Sequence, residues 1–426
     1  MILELAASIP QISSTKSFLR PLGSFEELLW QMDKRSPLHA ILVAHVDGIT
    51  HIDQWEAALE QTRLRHPLWS SQITEGGDGR PFFETDHESK VALRVVEGAF
   101  LPYWEQEVAW ELSRSISSTS GSLVRAVLLH TDESCVLILV AHHSICDGMS
   151  LAFAIRDVLS AISGVKLIKL GVPPSQENAL GMCLQTKARA CEVEHRLEPL
   201  LVISAYRRSS SAIPEVCSHE LSEAFTETLR KRAREEKTSV HAALIAASGL
   251  VARQDPDYGF GRELNICSPI NNRKLIGYPE NSGVFFTASD VAVPVDCTET
   301  FWNLARSSKA TVSKMQTLEG VRTVLDAVNR IVQSPLDATA TAEEGGRLFR
   351  CDVMVTNLGA VPIPSAYGRL TLRQLWGPGA LIGLEGEQTL GVSTFNGRLS
   401  LLHMSHTPLP GFLDDITAIL HSACGS

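Results

Sequence analysis

The nine cysteines of this 426-residue chain include no CxxC pair. That leaves out a zinc ribbon and a disulfide framework, and an odd count at irregular spacing fits a reducing compartment. Basic residues never cluster into a run of about five or six, and the formal net charge is −10, so nucleic acid is set aside as a main partner. The segment RKRARE, beginning at Arg230, reads instead as the solvated face of a helix. No stretch approaches the ~18 consecutive apolar residues of a membrane span. The N-terminal MILELAASIPQISS lacks the basic start and the long apolar run of a signal peptide. These absences predict a cytoplasmic protein with no membrane span. Short repeats and low-complexity segments are also missing.

Apolar residues make up 44% of the chain and charged residues 20%, a balance suited to a folded globular protein of about two to three domains. From Phe25 to Gly164 the pattern alternates between helix and strand. FEELLWQMDK has helical spacing, with Ser24 as its expected N-cap, and HAILVAHVDG reads as a strand. HIDQWEAALEQTRLRHP returns to the helical period, with Trp55, Leu59 and Thr62 on one face and Pro67 as the stop. LVRAVLLHTDESCVLILVAHH reads as two strands around a polar turn, and SLAFAIRDVLSAISG as a helix starting after Gly148. GVPPSQENALG is the best linker candidate. The expected division is an N-terminal subdomain over 1–170, a linker over 171–190 and a C-terminal subdomain over 191–426. In the second half, TSVHAALIAASGLVAR is a helix capped by Thr238 or Ser239. ELNICSPI, GVFFTASDVAV and CDVMVTNLG read as strands, and FWNLARSSKATVSKM, VRTVLDAVNRIV and GFLDDITAILHSA as helices. Asn396-Gly397 predicts a two-residue hairpin turn. Each half mixes helices and strands, so the fold class is α/β (α+β).

One element carries chemistry. AHHSICDG, Ala141–Gly148, follows the apolar run CVLILV and precedes a helix. A His followed four residues later by Asp arises by chance about once in a chain of this composition; a preceding His and a following Gly lower that by roughly two to three orders of magnitude. A neutral imidazole can take a proton from a hydroxyl or amine near pH 7. Asp147 could contact that ring, or turn away to pair with an arginine. Gly148 permits a sharp change of direction and close approach of another segment. A metal reading of His142 and His143 is weak, because neighbouring strand residues point to opposite faces and no third ligand stands at a recognisable spacing. His142 reads as a hydrogen-bonded core residue, and Cys146 as a small buried filler.

GSLVRAVLLHTDESCVLILVAHHSICDG resembles the signature region of the HxxxD acyltransferase superfamily. That group takes in chloramphenicol acetyltransferase, BAHD acyltransferases, polyketide-associated acyltransferases and nonribosomal peptide condensation domains. HIDQWEAALEQTRLRHPLW resembles the opening helix and RHP turn of such proteins. SPINNRKLIGYPENSGVFF resembles their arginine-containing strand and glycine segment, and VMVTNLG their Thr/Ser-Asn strand. The resemblance runs from about residue 24 to 410. It implies two chloramphenicol-acetyltransferase-like subdomains, each a mixed sheet flanked by helices, around a tunnel. It implies His143 as general base, Asp147 as a structural partner of Arg273, and Gly148 as the residue keeping the path to His143 open. Thr356 and Asn357 would stand near a developing oxyanion, although Asn357 could equally satisfy backbone groups at the strand end. Where BAHD enzymes carry DFGWG, this chain reads QLWGPGA, Gln374–Ala380, a departure from the BAHD pattern, and the double histidine and TNLG lean toward the condensation-like and polyketide-associated branches.

The resemblance further implies a stand-alone acyltransferase, moving an acetyl or short acyl group from acyl-CoA to a hydroxyl or amine of a small secondary-metabolite acceptor. No metal and no cofactor beyond the thioester co-substrate are implied. A monomer is expected, because both halves of the tunnel would lie in one polypeptide. The alternatives are a free-standing condensation enzyme served by an acyl carrier protein, and a non-acylating protein that binds or cyclises a metabolite.

Overall fold

A computed structural model of the chain describes residues 16–77, 79–182, 206–207, 212–255, 261–295 and 300–425. Its strands in chain order are β1 (Lys16–Pro21), β2 (His39–Asp47), β3 (Ser71–Glu75), β4 (Pro81–Asp86), β5 (Ala92–Glu97), β6 (Val124–His130), β7 (Ser134–His142), β8 (Glu215–Leu221), β9 (Leu264–Asn271), β10 (Phe286–Val293), β11 (Val353–Ala360), β12 (Ala366–Tyr367), β13 (Leu370–Gly379), β14 (Gln388–Phe395) and β15 (Arg398–Ser405). They build two six-stranded sheets, ordered β12-β13-β2-β7-β6-β5 and β10-β9-β11-β14-β15-β8, and a small β1-β4-β3 sheet. Both large sheets are mixed: β5 runs parallel to β6, and β11 parallel to both β9 and β14. The expected two-part α/β fold, each part a mixed sheet flanked by helices, is what the chain adopts.

The apolar run in β7 reflects its place. It lies between β2 and β6, and every residue from Cys135 to His142 is buried, so both faces of the strand must be apolar. Helix α1 (Ser24–Asp33) precedes β2, α2 (Ile52–Arg65) follows it, α3 (Trp104–Leu112) precedes β6, and α4 (Gly148–Ile162) follows β7. Helix α4 packs on β2, β7 and β13 with α2 alongside, while α3 reaches from β2 and β7 to β8 of the second sheet. The second sheet is covered by the helices Val240–Gln254, Phe301–Met315 and Phe412–Cys424.

Two local details depart from the sequence reading or sharpen it. The N-cap of α1 is Gly23 rather than Ser24. Glu26 accepts the Gly23 N–H at 2.8 Å, and the distant Glu177 accepts the Phe25 N–H at 2.8 Å. With those donors satisfied by carboxylates, the Ser24 hydroxyl is released to Asn329 Oδ1 at 2.8 Å. In the second half Ser239, not Thr238, caps its helix by accepting from Ala242 N. The Asn396-Gly397 turn has the expected positive φ values, 48° and 77°. Of the linker at 171–190, residues 183–190 lie outside the described residues. The part before them holds a short helix, Gln176–Ala179, capped by Ser175. No helix among the described residues is long and apolar enough to cross a membrane.

The two halves share structure. Strand β13, from late in the chain, pairs antiparallel with β2 and so completes the first sheet. To get there it passes close over β14, and a Cβ at Gly391 would sit 2.1 Å from the Pro378 carbonyl oxygen. A third apolar cluster, with Phe25, Leu28 and Met32 of α1 against Cys267, Phe349 and Met354, welds the halves together.

Because backbone oxygen cannot step aside as a side chain can, Gly391→Ala is expected to destabilise the protein by about 3 kcal/mol, the upper end of overpacking costs. Gly77→Ala, with nothing within 4 Å of the added carbon, is expected to stay within about 0.5 kcal/mol of wild type. Urea unfolding midpoints of the two variants check the pair.

Candidate active site

β7 ends at His142 and α4 begins at Gly148, so the turn 143–147 is all that separates a buried strand from a largely buried helix. Asp147 is the N-cap of α4, with its Oδ1 accepting the Ser150 N–H at 2.8 Å. That is the local reason for an Asp at this point: the first turn of a helix has unpaired N–H donors and a positive end. The same Oδ1 accepts from Arg273 Nη2 at 2.6 Å, and Oδ2 accepts the Phe285 N–H at 3.1 Å. Arg273 also donates to the Tyr278 and Asn281 carbonyls at 3.1 and 2.8 Å, and its Nη2 to the Ser150 hydroxyl at 2.7 Å. Its guanidinium lies over the Phe285 ring, 4.8 Å from the centroid. Of the two courses open to Asp147, pairing with an arginine is the one taken; no hydrogen bond joins it to the His143 ring among the described residues. Arg273 stands on the short helix Arg273–Ile276 just beyond β9, not within a strand.

His143 is held differently. Its N–H donates to Leu38 O at 3.1 Å, and its Nδ1 lies 2.8 Å from Cys146 O. A carbonyl oxygen only accepts, so Nδ1 carries the proton and Nε2 of the neutral ring keeps a lone pair. Phe286 flanks the ring at 5.3 Å between centroids. Burial is the largest influence on its pKa and lowers it from the ordinary 6.5, against smaller opposing effects from backbone hydrogen bonding and Asp147. His142 is buried, as read from the sequence, with Nε2 3.2 Å from Asp33 Oδ2. Cys146 is buried too, and burial pushes its thiol pKa well up, which suits a filler and not a nucleophile.

His143, Asp147 and Gly148 line a pocket of about 100 Å³ between the two halves, together with Thr356 and Asn357 of β11. Arg273 sits behind Asp147, outside the lining. The remaining wall is largely apolar, with Leu29, Met32, Phe349, Met354 and Ile382 among its residues. Asn357 Oδ1 accepts the Gly359 N–H at 2.7 Å, so its carbonyl oxygen serves the strand end. The need for glycine at 148 comes from close approach alone: a Cβ there would lie 2.7 Å from the Pro378 side chain and 3.0 Å from Leu358. Sequence reasoning missed Ser150, which bridges Asp147 and Arg273, and Ser282, whose hydroxyl donates to Ile145 O at 3.0 Å and accepts from Trp69 Nε1 at 3.0 Å. Single serines carry no pattern that would have singled them out.

A two-part mixed α/β fold with a His-Asp turn beside a pocket between the parts is the chloramphenicol-acetyltransferase and condensation-domain fold. Comparisons with known proteins agree. Residues 210–404 match the family described as "Phthiocerol/phthiodiolone dimycocerosyl transferase C-terminus". TRI3 trichothecene 15-O-acetyltransferase from Fusarium sporotrichioides has the same fold, with a TM-score of 0.69 at 12% identity over 96% of each chain. So does the first condensation domain of the CDA synthetase, with a TM-score of 0.69 at 14% identity over 96% of this chain and 97% of that one. A linear gramicidin synthase from Brevibacillus parabrevis is 29% identical over 159 residues, which is 34% of this chain but only 2% of that protein's length. These likenesses give the chain the fold of acyltransferases and condensation domains.

Removing one member of a buried ion pair leaves the other charge uncompensated, at a cost of about 3–5 kcal/mol. Asp147→Ala is therefore expected to lose that much unfolding free energy, and Asp147→Ala/Arg273→Met to regain part of it. Guanidinium unfolding of the single and double variants reads both.

Proposed function

We propose that the protein transfers an acyl group from a thioester donor to a hydroxyl or amine of a small acceptor, with His143 Nε2 as general base. The observation that carries this reading is the Nδ1–Cys146 O bond at 2.8 Å, which leaves a lone pair on the other nitrogen of a ring that lines the cavity. As the acceptor oxygen or nitrogen bonds to the thioester carbonyl carbon, Nε2 takes its proton. Negative charge gathers on the carbonyl oxygen, where the Thr356 hydroxyl and the Asn357 amide donate hydrogen bonds. Collapse of this intermediate breaks the C–S bond, and the departing thiolate receives the proton from Nε2. The products are an ester or amide and a free thiol, and no acyl-enzyme is required because the donor is already activated. Asp147 and Arg273 shape the turn and take no part in proton transfer. In this reading the protein acts as a cytoplasmic monomer with no resident cofactor or metal, and acyl-CoA is the donor.

A second reading, in which an acyl carrier protein presents the donor, draws support from the condensation-domain fold and from the partial match to a gramicidin synthase. Thiol release from acyl-CoA compared with the same acyl group on a carrier protein separates the two.

His143→Ala is expected to lower turnover at least about 100-fold, within the range of general-base contributions, while circular dichroism stays unchanged. Near-full turnover in that variant would refute the assignment. Because burial lowers the His143 pKa, the base is neutral at pH 7, and activity is lost only as pH falls through that lowered value. The acid limb of the kcat/KM profile is therefore expected below 6.5, the ordinary histidine value.

A further inference from the structure

Asp33 is the last residue of α1. A carboxylate there works against the helix, whose final carbonyls carry partial negative charge, so its place must be justified by tertiary partners. Two of them stand out. Oδ1 accepts the Leu38 N–H at 2.8 Å, and Oδ2 lies 3.2 Å from His142 Nε2. The carboxylate side chain is only 10% exposed. Burial raises its pKa, but the attraction of the nearby His142, aided by His39 and the Leu38 N–H, outweighs this and leaves it below the ordinary value.

Each partner leads to His143. The Leu38 carbonyl accepts the His143 N–H at 3.1 Å. On the far side of the His142 ring, Nδ1 meets the Ser144 N–H at 3.2 Å and the Ser144 hydroxyl at 2.8 Å. A backbone N–H only donates, so Nδ1 is an acceptor and a ring proton stands on Nε2, 3.2 Å from the Asp33 carboxylate, a close polar contact outside hydrogen-bond geometry. The residue before His143 and the residue after it are thus tied, through one imidazole, to the same carboxylate that fixes Leu38.

We propose that Asp33 is the positioning residue for the base: one carboxylate on α1, acting through Leu38 and His142, sets the backbone bonds on both sides of His143 and so aims its imidazole into the cavity. The proposal rests on the reading of His143 as the base. The site needs two acceptor oxygens. An isosteric amide offers one acceptor and one NH2 group, so one of the two donors would face another donor. If the amide NH2 turned to His142 Nε2, the ring would have to move its proton to Nδ1, against the Ser144 N–H.

Asp33→Asn, His142→Ala and the double variant test this in the full chain. In Asp33→Asn the kcat for thiol release is expected to fall about 10- to 100-fold, the scale of a small misplacement of a reacting group. The donor KM should stay unchanged, because ground-state binding is untouched. Losses in the double variant are expected to be far less than additive, since both substitutions cut one route. Independently of any substrate, imidazole nitrogen NMR of wild type should show His143 protonated at Nδ1 alone, and Asp33→Asn should show a mixture of tautomers. Wild-type kcat together with an unchanged His143 signal in Asp33→Asn would overturn the proposal. If wild type releases no thiol from any donor, the reading of His143 as base fails, and the NMR comparison still decides whether Asp33 positions the ring. Should Asp33→Asn not fold, His142→Ala carries the same expectations, and an unchanged kcat and spectrum there sink the idea.

Discussion

The ion pair between Asp147 and Arg273 joins residues 126 positions apart, and the geometry around the cavity hangs on it. Asp147 is at once a helix cap, an ion-pair partner and the acceptor of the Phe285 N–H. Burying a charge is costly unless its hydrogen-bonding capacity is filled, and here both oxygens are used. Because one donor belongs to α4 and the others to the segment 273–285, the pair fixes the turn that holds His143 relative to the second half. That half supplies Phe286, Thr356 and Asn357 to the same cavity.

The two acidic side chains near the motif therefore do different work from the one a catalytic triad would suggest. Neither Asp147 nor Asp33 hydrogen-bonds to the His143 ring among the described residues. Its orientation comes from backbone: Leu38 O takes its N–H, and Cys146 O takes its Nδ1 proton. A carbonyl in place of a carboxylate orients the ring without adding a negative charge beside it, so burial can keep the imidazole neutral. That is the protonation state the proposed base role needs.

Much of the architecture is legible in local pattern. The apolar run of β7 marks a strand buried on both faces, the helical period after Gly148 marks α4, and Asn396-Gly397 marks its hairpin. The motif at 142–148 is legible for the same reason: its residue types are costly at the end of a buried strand unless something uses them. Caps were read less well. Ser24 looked like an N-cap by residue type, yet Gly23 takes that place because Glu177, 152 positions away from Phe25, satisfies the donor a local side chain would have met.

The amino-acid order alone determined many of the helices and strands and where the His-Asp motif lies, because apolar periodicity and a rare residue combination are properties of neighbouring positions. Tertiary structure decided the rest. Whether Asp147 would face the histidine or an arginine, why residue 148 cannot carry a side chain, how β13 crosses to the first sheet over Gly391, and what Asp33 is for all depend on groups brought together from distant parts of the chain. Contacts of that kind are set by how sheets and helices pack in space, and single-chain periodicity carries no record of them.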